Sequence, residues 1–204
     1  MKKFLLCLMF FVVFVMPSMA SEQLDELNAK FTYKGKPIHP FLVGEFSNRL
    51  SDNRLPMVTT VDVSAAFDTN EYQQSDVKKN NDWWFVEHIE KDGDITLYES
   101  FDYHWLGKLA DGTHVLETGY SGGGSGFFMD LMFIRFSKGG IFWEGKKEKQ
   151  MLMSIVGTYR MGDRYNGDIK VYPNKVFIPA SEGQLGGGSI DKDVELKFPK
   201  MKED

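Results

Sequence analysis

The sequence predicts a single, mainly antiparallel β domain, a sandwich or an open barrel, with a short N-terminal helix or arm. Three observations carry that expectation. Two Asp-Gly turns, Asp92-Gly93 and Asp111-Gly112, separate three extended segments from Trp83 onward, the pattern of consecutive β-hairpins. Phe127 to Phe136 is apolar at both parities, interrupted only by Asp130 and Arg135, as expected of a strand packed on both faces of a sheet. Val58 to Val63 is mostly β-branched, which suits a half-buried pleated strand.

Taken in order, the chain opens with Lys2-Lys3, an apolar run from Phe4 to Val15, and a small-x-small site at Ser18-Met19-Ala20. This reads as a signal peptide over residues 1–20, leaving 21–204 as the domain and 21–56 as its N-terminal helix and arm. The apolar run falls short of the roughly 20 residues a membrane span needs, so no stable membrane insertion is expected after cleavage. Cys7 is the single cysteine, which makes the mature chain cysteine-free, and there is no Asn-x-Ser/Thr sequon. Together these features predict a bacterial periplasmic or secreted protein. Removing Lys2 and Lys3 leaves 22 basic against 29 acidic residues, a balance that argues against nucleic acid as a partner.

Ser21 to Lys30 is expected to form the short helix, with Leu24 and Leu27 on one side. Gly35, Pro37 and Pro40 interrupt regular structure, so Ile38 to Val43 reads as an extended arm. Thr69 to Asp82 reads as a long surface loop. If both Asp-Gly turns have two residues, Trp84 faces Phe101, His88 faces Leu97 and Leu109 faces His114. One face then carries Trp84, Val86, Ile95, Leu97, Phe101, Tyr103, Trp105, Leu109 and Leu116, with a bend near Gly107. Ser137 to Gly140 reads as a turn, Lys146 to Lys149 as a solvated loop, and Met151 to Tyr159 as a strand. Asn166-Gly167 and Pro173-Asn174 mark further turns, and Val194 to Phe198 a last strand.

Two stretches echo each other. Gly107 to Phe136 and Gly167 to Phe198 both contain a turn, a Val-aromatic or Val-Leu pair, a GGGS run and a strand ending in a basic residue and Phe. An internal duplication of a β-hairpin unit would produce this.

The chemistry-bearing residues do not assemble into a known motif. The glycine loop has no Lys-Ser/Thr after its last glycine, as a P-loop needs, and Phe127 stands where a nucleophile elbow needs Gly. Bare backbone at Gly123, Gly124 and Ser125 could still approach a partner closely; the ordinary use of such a loop is a tight crossover. His39, His88, His104 and His114 lack zinc-ligand spacing, so neither a metal nor a cofactor is expected. His88 and Glu99 fall diagonally on one face and could pair as base and orienting acid, though such pairs are more often structural. Asp130 interrupts the most apolar strand, where a charge needs a partner, and Arg135 is the nearest in sequence. Tyr120 and Trp83 are the aromatics most expected at the surface. Two function classes follow: a binding protein recognising an envelope protein or glycan through Tyr120, Trp83 and the glycine loop, or a hydrolase of envelope material using His88, Glu99 or Asp130.

Overall fold

A computed structural model describes residues 19–47, 58–69, 76–92, 95–143, 145–183 and 190–199. The predicted signal peptide therefore lies outside the described residues, apart from its last two positions. Those two open helix α1 (Met19–Lys30). The chain continues through a small hairpin, β1 (Thr32–Tyr33) and β2 (Lys36–Pro37), then helix α2 (Pro40–Gly44), β3 (Thr60–Asp62) and helix α3 (Val63–Thr69). Next come β4 (Lys78–Asn80), β5 (Trp83–Asp92), β6 (Ile95–Lys108), β7 (His114–Ser121), β8 (Phe128–Trp143) and β9 (Lys146–Asp163). Three short strands follow: β10 (Lys170–Tyr172), β11 (Lys175–Ile178) and β12 (Val194–Lys197).

Strands β3 to β9 form one antiparallel sheet in the order β3-β9-β8-β7-β6-β5-β4, curled into a half-barrel. The β5-to-β9 portion is a plain meander, so every interior ladder joins chain neighbours. Both faces are covered. On one, Phe101, Tyr103, Leu116, Met132, Ile134 and Met153 pack against Leu27 of α1, Phe31, Tyr33, Leu42 and Val43 of α2, and Val63. On the other, Val115, Met129, Leu131, Phe133 and Met161 pack against Tyr165, Ile169, Val176, Ile178 and Ile190 of the C-terminal layer. β8 thus sends Met132 and Ile134 into one core and Leu131 and Phe133 into the other, all four essentially inaccessible to water. That matches the two-sided apolar pattern of its sequence. Each such side chain contributes about 1.5–3 kcal/mol of transfer free energy.

Several local expectations change. Pro40 does not break the arm; it occupies the first position of α2, where its missing N–H is harmless. The preceding His39 caps the helix, its Nδ1 accepting from the Phe41 amide at 3.2 Å. Asp62 ends β3 early because its Oδ1 accepts from the Ser64 and Ala65 amides at 2.9 and 3.1 Å, starting α3. The tail of the predicted 69–82 loop is a hairpin, with Asn81 at φ 53 between β4 and β5. The expected turn at 137–140 and loop at 146–149 are instead strand: β8 and β9 stay paired to Trp143 and Lys146. Gly139 lacks a Cβ that would sit 2.7 Å from Leu152, so it serves close approach.

The β5–β6 register is displaced by two residues from expectation: Trp84 faces Tyr103, and His88 faces Glu99. A shift of two preserves the face of every side chain while changing every pair. The β6–β7 connection is longer than a two-residue turn; the Gly112 amide donates to Leu109 O at 3.1 Å and the Leu109 amide to Thr113 O at 2.8 Å. The bend expected near Gly107 is present, with a bulge between Trp105 and Gly107. As for the internal duplication, β6–β7–β8 and β10–β11–β12 are both antiparallel meanders. Their strands of 14, 8 and 16 residues against 3, 4 and 4 share order and not size. The second GGGS run lies outside the described residues.

His114, at the start of β7, is completely buried among the rings of Phe31, Trp105 and Phe136, and neither ring nitrogen has a hydrogen-bond partner. Burial, with Lys108 adding like charge, pushes its pKa from 6.5 down to about 4. The unfolded chain takes up that proton first, so the fold keeps its full stability above pH 6.5 and loses it as pH falls toward 4. Denaturant unfolding of His114→Phe should therefore gain on wild type by about 2 kcal/mol between pH 8 and pH 5. A constant difference across that range would show that the imidazole is not held neutral.

Candidate functional site

The residues singled out by sequence do not converge. Alternation along the strands puts His88, Glu99, Tyr120 and Asp130 on the face of the first core, and Trp83 on the opposite one. His88 is exposed and directly opposite Glu99, near the far end of β5 and β6. Asp130 faces Arg160 on β9, with Nε to Oδ1 at 3.9 Å. The expected partner Arg135 instead bonds Asp111 and Thr113 at the β6–β7 turn. Tyr120 is half-buried against the first core, its ring beside Gly122. Gly123, Gly124 and Ser125 are exposed. At φ +84, Gly123 lies where a Cβ would be 2.7 Å from the Tyr98 carbonyl oxygen, so the loop rests on β6 backbone. Gly124 has open space around it. Gly123→Ala should then cost about 1–3 kcal/mol by thermal unfolding and Gly124→Ala under about 0.5 kcal/mol; equal effects would remove the close-approach role.

Two concavities carry more chemistry than the expected positions. The larger is about 390 Å³ and lies in the seam of the half-barrel. Its walls come from Pro37, Ile38, His39 and Leu42 around α2, from Val63, Ala66 and Phe67 of α3, and from Val77 and Trp84 of the β4–β5 edge. Residues following β3 and residues of β4–β5 meet across it, so the two ends of the curled sheet are brought toward each other. Short helices fill the gap there instead of ladder hydrogen bonds. Among the described residues the lining is apolar except for His39, Lys36 and Asp76. Its size falls within the roughly 300–1,000 Å³ of small-molecule sites, and so does its character.

The β1–β2 turn overhangs this seam. Lys34 and Gly35 take φ of 50 and 75. Glu26 of α1 anchors the turn, accepting from the Thr32 hydroxyl at 2.8 Å and the Gly35 amide at 2.7 Å. Lys34 and Lys36 thereby stand over the Phe67 ring, their Nζ atoms 5.2 and 5.6 Å from its centre. Lys79 stands over Trp84 at 5.1 Å.

The second concavity, about 320 Å³, is on the other sheet face, lined by Asn80, Asn81, Trp83, Phe85, Glu87, Tyr98, Ser100 and Asp102. Glu87 accepts from Tyr98 Oη and, at 2.5 Å, from Lys78 Nζ. These bonds, Lys78's first, lower its pKa below the ordinary carboxylate value. Asp102, diagonal to Glu87 across the β5–β6 ladder, has its Oδ1 buried with no hydrogen-bond partner. Burial, then the Glu87 charge, raises its pKa from 3.8 to about 7. One carboxyl is thus held ionised while its neighbour still keeps its proton about half the time at neutral pH. From the sequence Asp102 is visible only as one of several strand carboxylates, and Glu87 is not singled out. The signal was present in the pairing of Phe85 with Asp102, which only the correct hairpin register discloses.

A raised acid pKa weakens the fold as pH climbs from 3.8 through 7, because the unfolded chain ionises first. Asp102→Asn should stabilise the protein by about 4 kcal/mol at pH 8 and only about half a kcal/mol at pH 4. Destabilisation of equal size at both pH values would assign Asp102 a structural hydrogen bond instead.

No family model matches the chain, and no curated protein and no solved structure matches it. Among the described residues, no helix is long and apolar enough to cross a membrane.

Proposed function

We propose that this protein is an exported binding protein that takes an apolar-bodied ligand into the seam of its half-barrel. The observation that carries the reading is the seam cavity, walled by α2, α3 and Trp84, with three polar residues among the described lining residues. A packed interior leaves few voids larger than a water molecule, and a gap of this size exposes apolar surface that a ligand would cover. The basic start, apolar run and small-x-small site at residues 1–20 support export to the periplasm or beyond. This keeps the binding class expected from sequence and moves the site from the glycine loop to the seam.

Titration of the mature chain with the neutral fluorophore N-phenyl-1-naphthylamine tests the reading. The expected result is saturable one-to-one enhancement, reduced at least tenfold in affinity by Ala66→Trp, which fills the cavity, with the circular dichroism spectrum unchanged. Equal binding by that folded variant, or no saturable binding by wild type, would contradict it.

A second reading, hydrolysis of an envelope glycan, is favoured by the contrasted carboxyl groups of Glu87 and Asp102 beside Trp83 and Tyr98. Asp102 would donate the proton and Glu87 would act as the ionised partner. Release of reducing ends from peptidoglycan or polysaccharide, lost in Asp102→Asn, is the outcome that would establish it.

A further inference from the structure

We infer that the concavity on the second sheet face binds a primary alkylammonium group, with Asp102 as its counter-ion and Trp83 and Phe85 as its apolar walls. The inference is independent of the seam reading. It starts from an ammonium the chain already holds there. Lys78 Nζ donates to Glu87 at 2.5 Å and stands 5.9 Å from the centre of the Phe85 ring. Tyr98 Oη donates to the same carboxylate. Carboxylate and ring face together make one ammonium site, filled by the protein's own side chain.

The register repeats that arrangement across Phe85. Phe85 pairs with Lys78 on β4 and with Asp102 on β6, so the ring has a filled carboxylate site on one side and a second carboxyl on the other. Asp102 Oδ1 is buried and accepts no hydrogen bond. An ionised carboxyl in that position is costly until it gains both charge and donors. A primary ammonium supplies both. A quaternary ammonium has charge and no donor, and an alcohol has a donor and no charge. Ser100 and Asn80 line the same space and carry oxygen acceptors for the remaining N–H groups. At about 30 Å³ for each small group, a space of about 320 Å³ has room for roughly ten groups, enough for the ammonium and a short alkyl chain against Trp83. The acidic balance of the chain, 29 Asp and Glu against 24 Lys and Arg, favours approach of cations.

Binding needs Asp102 ionised, and in the free protein burial and then the Glu87 charge raise its pKa to about 7. Affinity should therefore be nearly full at pH 8 and fall on the order of a hundredfold by pH 5. The other titratable groups facing Asp102 are Glu87 and Lys78 on the β4–β5 side, Tyr98 along β6, and the His104–Glu117 pair toward β7. Proton donation to a glycan needs the opposite state of Asp102, so the pH profile separates the two uses of this concavity.

The test is fluorine NMR of the mature chain labelled with fluorotryptophan, titrated with hexylammonium, hexanol and hexyltrimethylammonium. Trp83 lines this concavity and Trp84 lines the seam, so the two resonances report the two sites separately. At pH 8 hexylammonium should shift Trp83 and bind at least about tenfold tighter than either analogue. Asp102→Asn, expected above to be more stable than wild type, should lower hexylammonium affinity to that of hexanol and remove the pH dependence. Equal affinity for the three compounds would overturn the inference. So would affinity that is flat or rising from pH 8 to pH 5, or unaltered binding by the folded Asp102→Asn variant. A shift of Trp84 alone would place the amine in the seam, overturning this site while leaving the seam reading intact. Loss of the seam reading, with no fluorophore bound there, would leave this inference standing if Trp83 still responds to hexylammonium as described.

Discussion

Burial of β8 on both faces is the constraint on which the rest of the structure depends. A strand with Met132 and Ile134 on one side and Leu131 and Phe133 on the other cannot be left with either side in water. The chain meets that demand with its two ends. Residues preceding β4 supply α1, the β1–β2 hairpin, α2 and α3 for one face; residues after β9 supply β10, β11 and β12 for the other. The two cores are separate clusters joined only through the sheet between them.

The seam follows from that division. Closing a barrel would require β3 and β4, the two end strands, to pair. Each has only three residues, and each is extended by a helix or a tight turn in place of more ladder. Asp62 turns the chain out of β3 into α3, and Asn81 folds β4 straight back onto β5. Short helices cover curved sheet less completely than strands would, since their side chains radiate from a cylinder. A cavity remains where α2 and α3 meet the β5 edge, and Trp84 and Phe67 become its walls.

How much was legible in the sequence follows from the range of the forces involved. β8 could be read because apolar residues at both parities admit one interpretation. The positions of the turns at Gly112 and Pro173-Asn174 and of the bend at Gly107 could be read because they are local backbone chemistry, although the Gly112 turn is longer than two residues and Lys108, not Leu109, faces His114. The first hairpin's pairing could not. Apolar alternation is unchanged by a shift of two residues, so Val86, Phe101 and Tyr103 fell on the correct face while their partners did not. Helix α2 was hidden because Pro40 signals a break and a helix start with equal force, and only the cap at His39 decides between them. Ser137 to Gly140 looked like a turn because glycine's use under Leu152 is tertiary. The seam lay beyond reach for the same reason: four separated segments build it. Asp102 was visible as a strand carboxylate, but its burial and its nearness to Glu87 depend on the register that was misread.

Two covers of different origin should make β8 the most deeply protected part of the molecule. Residue-resolved hydrogen exchange tests it most directly. The amides of Leu131 to Ile134 should exchange only through global unfolding, at the rate limit set by total stability, while α2 and α3 around the seam open by smaller fluctuations. Exchange of β8 amides as fast as those of α3, or faster, would contradict it.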